Sequence, residues 1–127
     1  MTSINATFTI DQWDEQPIAE VDGAPKLSRA IVTKAYAGDI DGTSTTEWLM
    51  SYAADGTATF IGMERLEADI DGRHGTFVLQ HVGRFADGAA TADLTVVEGS
   101  GSGRLAGIAG TGELHADPDG KVTLHLR

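Results

Sequence analysis

Six Asp-Gly dipeptides punctuate this chain, at residues 22–23, 41–42, 55–56, 71–72, 87–88 and 119–120. Asp-Gly supplies the left-handed backbone that tight hairpins require, and the stretches between these pairs alternate apolar and polar residues. Between 41 and 88 the spacing gives successive strands of about twelve residues, long for a sandwich and natural for a barrel. With sixteen glycines and almost no run of helical period, the pattern predicts an all-β fold, an antiparallel up-and-down eight-stranded barrel whose closure removes exposed edges. Strands are expected at 4–13, 17–22, 28–38, 45–54, 57–70, 73–86, 89–98, 105–115 and 121–127. The second is either separate or the first continued past a kink near Pro17. Glu98–Gly103, Gly-Ser-rich, reads as a flexible loop, and residues 1–127 as one domain.

Two-residue hairpins fix register, and register fixes which side chains share a face. A loop at Asp71-Gly72 sets Leu66 opposite Phe77, Glu64 opposite Leu79 and Gly62 opposite His81. A loop at Asp87-Gly88 sets His81 opposite Leu94, Leu79 opposite Val96 and Phe85 opposite Ala90. A loop at Asp55-Gly56 sets Glu47 opposite Glu64, Leu49 opposite Gly62 and Ser51 opposite Phe60. One face then collects Leu49, Phe60, Leu66, Phe77, Leu79, Phe85, Leu94 and Val96 with Glu47, Glu64 and His81, and is the expected interior. The other carries Trp48, Met50, Tyr52, Ile61 and Met63 among polar residues. An exposed patch including Trp48, Met50, Ile61 and Met63 calls for cover, by a loop or by a second copy of the chain in a homo-oligomer.

Glu47 and Glu64 opposed on an apolar face, with His81 diagonal to Glu64, form an unusual set. Like charges in a low dielectric cannot both ionise cheaply, so one carboxyl keeps a proton or a cation compensates. Pairing the preceding strand through Asp41-Gly42 brings Tyr36 opposite Glu47 and Lys34 diagonal to it. Lys34, Tyr36, Glu47, Glu64 and His81 have the composition of a general acid–base site. The same set also fits a satisfied polar network that fixes barrel register.

Other chemistries are poorly served. Nineteen acidic residues against nine Lys plus Arg give a net charge of −10, which argues against nucleic acid and anionic membrane as partners. There is no cysteine for a disulfide, thiol nucleophile or thiolate zinc site. Neither a signal peptide nor a transmembrane run is visible, so a cytoplasmic location is the expectation. Gly101-x-Gly103-x-x-Ala106 matches a dinucleotide fingerprint without the strand and helix it needs. Asp39-x-Asp41-Gly42 fails as a calcium loop at both ends. The four histidines show no ligand spacing, and no nucleophile elbow is present. No metal or cofactor is expected.

Several runs resemble a known family: Tyr36-x-Gly38-Asp39-x-x-Gly42, Phe60-x-Gly62-x-Glu64, Gly72-Arg73-x-Gly75-x-Phe77-Val78-Leu79-Gln80-His81-x-Gly83, and Gly99-Ser100-Gly101. Over nearly its whole length the chain is similar to the bacterial domain of unknown function thirty-two twenty-four. That resemblance implies a fold related to plant allene oxide cyclases and dirigent proteins, eight-stranded barrels around an apolar cavity. It places Tyr36, Glu64 and His81 on family-like positions. The family's usual Gly-Ser-Gly-Thr-Gly-Glu-Leu loop is here Gly101-Ser102-Gly103-Arg104-Leu105, so its glutamate is missing.

The expected function is a small-molecule-binding barrel with cyclase- or isomerase-like acid–base activity on an apolar substrate. Glu64 and His81 would be the acid–base pair, Glu47 and Lys34 would tune them, and Tyr36 would orient the ligand. Leu49, Phe60, Phe77, Leu79 and Leu94 would wall the pocket. Glu64→Gln would then abolish turnover or ligand retention and leave the fold near intact. A non-catalytic carrier of a hydrophobic ligand, or a self-associating barrel with no pocket, are the alternatives.

Overall fold

The structure, a computed structural model, describes residues 2–127. Eight antiparallel strands close in sequence order into a barrel: β1 Thr2–Pro17, β2 Leu27–Gly38, β3 Asp41–Tyr52, β4 Ala58–Ile70, β5 Arg73–Ala86, β6 Ala89–Val96, β7 Gly110–Ala116 and β8 Gly120–Leu126. The one other regular element among the described residues is a 3-10 turn at Gly103–Leu105. No helix of the described residues is long and apolar enough to cross a membrane.

Two of the Asp-Gly pairs act as their chemistry dictates. Asp71 and Gly72, and likewise Asp87 and Gly88, all have positive φ, the signature of a type I′ hairpin whose twist matches its strands. The registers they impose follow: Leu66 pairs with Phe77, Glu64 with Leu79, Gly62 with His81 and His81 with Leu94.

Asp55-Gly56 does something else. Only Gly56 has positive φ there, the Ala53 amide donates to the Thr57 carbonyl at 2.8 Å, and Asp55 Oδ1 accepts from the Thr57 amide at 3.0 Å. The loop is therefore one residue longer than a two-residue turn, and every side chain of β3 changes face. Thr46 lies opposite Glu64, Trp48 opposite Gly62 and Met50 opposite Phe60. Trp48 and Met50 are buried, contrary to the patch expected of them, while Leu49 stands outside at 44% exposure. The β2–β3 corner is displaced too. It turns at Gly38 and Asp39, Asp41-Gly42 lies inside β3, and Tyr36 pairs with Gly42 instead of Glu47.

The expected strand at 17–22 is absent, because β1 runs unbroken to Pro17 and the chain then leaves the sheet. A bulge between Ile10 and Gln12 turns Trp13 and Glu15 toward the inner side, opposite Val32 and Ala30. Because β8 pairs only with Thr2–Phe8, the tail of β1 is held along one edge alone. At the other end, the expected flexible loop is tied to β5. Val97 and Ser102 amides donate to the Val78 and Thr76 carbonyls, both at 2.9 Å, and Ser100 Oγ accepts from the Val78 amide at 3.0 Å. This covers the stretch of β5 that reaches past β6, and Gly75 permits it, since a Cβ there would lie 2.1 Å from the Ser102 carbonyl oxygen. The expected strand at 105–115 accordingly begins only at Gly110.

The core is the barrel interior, filled by Val32, Leu66, Phe77, Leu79, Leu94, Val122 and Leu124. Leu105, Ile40 and Ile70 join it at the end that carries the 71–72 turn. At the opposite end, inward-facing Trp13 and Phe85 are 44% and 40% exposed and form the rim of a mouth.

Candidate functional site

Below that mouth lies a polar cluster enclosed by apolar walls. Glu64, Lys34 and His81 are fully buried, and Tyr36, Ser44 and Trp48 nearly so. Strand alternation delivers them: Lys34 and Tyr36 from β2, Ser44, Thr46 and Trp48 from β3, Glu64 from β4 and His81 from β5. All project inward.

Glu64 is the hub. Its Oε2 accepts from Tyr36 OH at 2.7 Å and Ser44 Oγ at 2.6 Å, with Lys34 Nζ at 3.4 Å. Its Oε1 lies 2.8 Å from His81 Nε2. Burial alone would push its carboxyl up. The Lys34 charge, the His81 hydrogen bond and charge, and the Ser44 hydroxyl outweigh that and hold it down at about 2. Tyr36 is pushed well up by burial and by the facing carboxylate, so it stays a donor. Lys34 is pulled down by burial more than Glu64 restores. Its ammonium sits 4.4 Å from the Phe8 ring centroid and 4.9 Å from that of Trp48, two cation–π contacts. Among the described residues it has no hydrogen-bond partner, and neither has buried Thr46 Oγ1.

The indole of Trp48 settles the state of His81. Trp48 Nε1 lies 3.3 Å from His81 Nδ1, and an indole N–H can only donate. Nδ1 is therefore the acceptor, and Nε2 carries the proton that His81 donates to Glu64. Burial keeps His81 below its ordinary value, and so neutral, with Glu64 opposing and Lys34 assisting. Three hydrogen bonds and the Lys34 ammonium converge on the carboxylate, so Glu64 orients its neighbours. His81 Nδ1, the unprotonated ring nitrogen, is capped by the Trp48 N–H. This division of labour resembles that of a carboxylate behind a catalytic histidine.

Of the residues singled out in the sequence, Lys34, Tyr36, Glu64 and His81 meet in the cluster, and Phe60, Phe77, Leu79 and Leu94 surround it as walls. Glu47 and Leu49 do not, because the longer β3–β4 loop turns them outward. Glu47 instead pairs with Arg29 on the surface. Ser44, Thr46 and Trp48 lie outside the set the sequence suggests; a three-residue loop at Ala54-Asp55-Gly56 is the signal that would place them inside.

A second polar group, also unforeseen, braces the mouth. Glu15 accepts from Ser28 Oγ at 2.6 Å, Tyr52 OH at 2.7 Å and Trp13 Nε1 at 3.0 Å, with Lys26 Nζ at 3.3 Å. Burial opposes its charge, but these donors lower its carboxyl to about 2, and Tyr52 rises to about 12 through burial and Glu15. The network ties the single-edged tail of β1 to β2 and β3.

Open concavities lie elsewhere. A cleft of about 800 Å³ beside Asp39, Asp69, Arg73 and Arg104 shares no residue with the cluster. A hollow of about 510 Å³ on the outer wall is framed by Glu47, Leu49, Ile61, Met63 and Val82, and is also lined by Gly62 and His81. It meets His81 from outside, since that side chain is fully buried on the inner face.

Comparison with known proteins agrees with this architecture. Residues 4–127 match the family described as "Protein of unknown function (DUF3224)". A crystal structure of a DUF3224 family protein of unknown function from Shewanella oneidensis MR-1 is similar at 27% identity, with a TM-score of 0.80, over 100% of this chain and 98% of that one. A structure named pyocyanin demethylase shares the fold at 15% identity and a TM-score of 0.68, over 99% of this chain and 100% of that one. No curated protein matches. The chain thus belongs to the DUF3224 family of proteins of unknown function.

Proposed function

We propose that this barrel binds a small, largely apolar molecule in its interior, through the mouth rimmed by Trp13 and Phe85, and that the Glu64–His81 pair supplies acid–base chemistry to it. The observation that carries the reading is the fully buried Glu64–His81–Lys34 group. Burying such charges costs more than an apolar filling would, so a barrel that needed only stability has a cheaper solution. The shared fold with a protein named pyocyanin demethylase is in keeping with small-molecule chemistry in a barrel of this kind.

The test is a panel of small conjugated ketones, phenols and aza-aromatics titrated into the protein and followed by amide NMR. Shifts are expected on the inner strands around Lys34, Trp48 and His81. Shifts confined to the outer wall, or none across the panel, would overturn the reading. With a ligand in hand, His81→Asn is expected to keep binding and lose turnover. Turnover unchanged in that variant would assign the barrel to a carrier role.

The outer wall supports a second reading, self-association. Leu49, Ile61, Met63 and Val82 are all about half exposed on adjacent strands, a contiguous apolar face of the kind that second copies cover. Trp48 and Met50 drop out of the patch, and Leu49 and Val82 replace them. Sedimentation velocity is expected to show a concentration-dependent oligomer that Met63→Glu dissociates. A monomer at millimolar concentration would exclude it.

A further inference from the structure

We propose that the Trp48 indole occupies the seat of the barrel's own ligand, and that this ligand is a flat conjugated molecule carrying an O–H or N–H that it presents to His81 Nδ1. The inference rests on interior binding as proposed above and names the class of molecule bound.

The seat is defined on its sides. The Trp48 ring lies 5.5 Å from that of Trp13, 5.3 Å from Phe60 and 5.8 Å from His81, centroid to centroid, with the Lys34 ammonium 4.9 Å away. Aromatic edges and a cation around one planar group are what a conjugated guest recognises. Gly62 opposite Trp48 keeps the space, since a Cβ there would meet Trp48 Cδ1 at 2.5 Å. The indole fills the seat imperfectly. Its N–H reaches Nδ1 at 3.3 Å, long against the usual N–H···O or N distance of about 3 Å. Lys34 Nζ beside the indole, and Thr46 Oγ1 on the same strand as Trp48, are buried without a hydrogen bond among the described residues, an arrangement that natural interiors rarely leave unexplained. A guest with an oxygen or nitrogen at its edge serves two of these groups: its proton goes to Nδ1 and its heteroatom faces the Lys34 ammonium.

The proton balance is simple. The guest's O–H or N–H bond breaks, the electron pair stays on its heteroatom, and the proton joins His81 Nδ1. The imidazole, already protonated at Nε2, becomes an imidazolium held against Glu64, while Lys34 faces the new anion. Access runs past Trp13, which is 44% exposed and lies on the part of β1 paired on one edge only.

Indole and benzofuran, alike in shape and differing in the N–H, test this by calorimetry on the wild type and on Trp48→Ala. Removing the competing side chain is expected to tighten indole binding about tenfold or more. Indole should exceed benzofuran about fivefold in that variant, and His81→Phe should erase the preference. Equal affinities for the two probes, or no gain over the wild type, would overturn the inference. Should Trp48→Ala not fold, 2-naphthol added to the wild type is expected to shift the Trp48 Nε1–H resonance; a resonance unmoved at the solubility limit sinks the idea equally. Interior binding that ignores Trp48 would reject this seat yet leave the proposed function standing, whereas no interior binding by the wider panel rejects both.

Discussion

Glu64→Gln is expected to cost about 3–5 kcal/mol of unfolding free energy, the usual penalty for removing one partner of a buried ion pair. The substitution is nearly isosteric, and the sequence alone favours a fold left near intact. The structure argues otherwise. Glu64 is the ion-pair partner of Lys34 among the described residues, and both are fully buried. It also accepts from Tyr36, Ser44 and His81. A Gln amide offers one carbonyl oxygen to those donors and turns its own NH₂ toward the rest. Lys34 can then relieve the strain only by losing its proton. In this variant its folded pKa lies below its unfolded one, so the unfolded state binds more protons and stability rises with pH through that window. Urea unfolding at several pH values reads both effects. Lys34→Met combined with Glu64→Leu is expected to restore most of the loss, because a packed apolar pair needs no compensation. A single Glu64→Gln variant within about 1 kcal/mol of the wild type would show that Lys34 is not a buried cation.

Where the sequence was legible, local chemistry and tertiary structure agreed. Asp71-Gly72 and Asp87-Gly88 adopt the turn their residues favour, so everything from Leu66 to Val96 lands in its expected register. Glu64 and His81 are neighbours for that reason. Asp55-Gly56 illustrates the limit. Two-residue and three-residue loops use the same dipeptide, and what separates them is whether Asp55 takes positive φ, a difference settled by closing the barrel as much as by local preference. That one residue exchanged Glu47 and Leu49 for Thr46 and Trp48. The corner at Gly38 also differs by an odd number of positions from a turn at Asp41-Gly42, so the two shifts cancel and Lys34 and Tyr36 lie on the inner face. Glu15 was illegible for a third reason: the bulge at Asp11 reverses parity within a single strand, and nothing in the alternation of β1 announces it.

Acid should unfold this protein in two stages, and the first begins near neutrality. His81 titrates at its ordinary value of 6.5 when unfolded and lower when folded, because burial disfavours its charge. The unfolded state therefore takes up a proton first, and stability falls as pH drops below 6.5. The second stage belongs to the carboxylates. Glu64 has a folded value of about 2 against an ordinary value of 4.5, and Glu15 shifts likewise. Their contribution is present in full above 4.5 and is lost as pH falls toward 2. For Glu64 that loss amounts to roughly 3 kcal/mol. Protonating Glu64 creates nearly the state that Glu64→Gln imposes at every pH, a buried Lys34 facing a neutral partner. Urea midpoints between pH 7 and pH 2 should accordingly fall less in Glu64→Gln than in the wild type, with His81 and Glu15 supplying the slope that remains. Equal slopes in the two proteins would mean that the acid sensitivity does not reside in Glu64. A wild type equally stable at pH 3 and pH 7 would mean that Glu64 is not held as a carboxylate there at all.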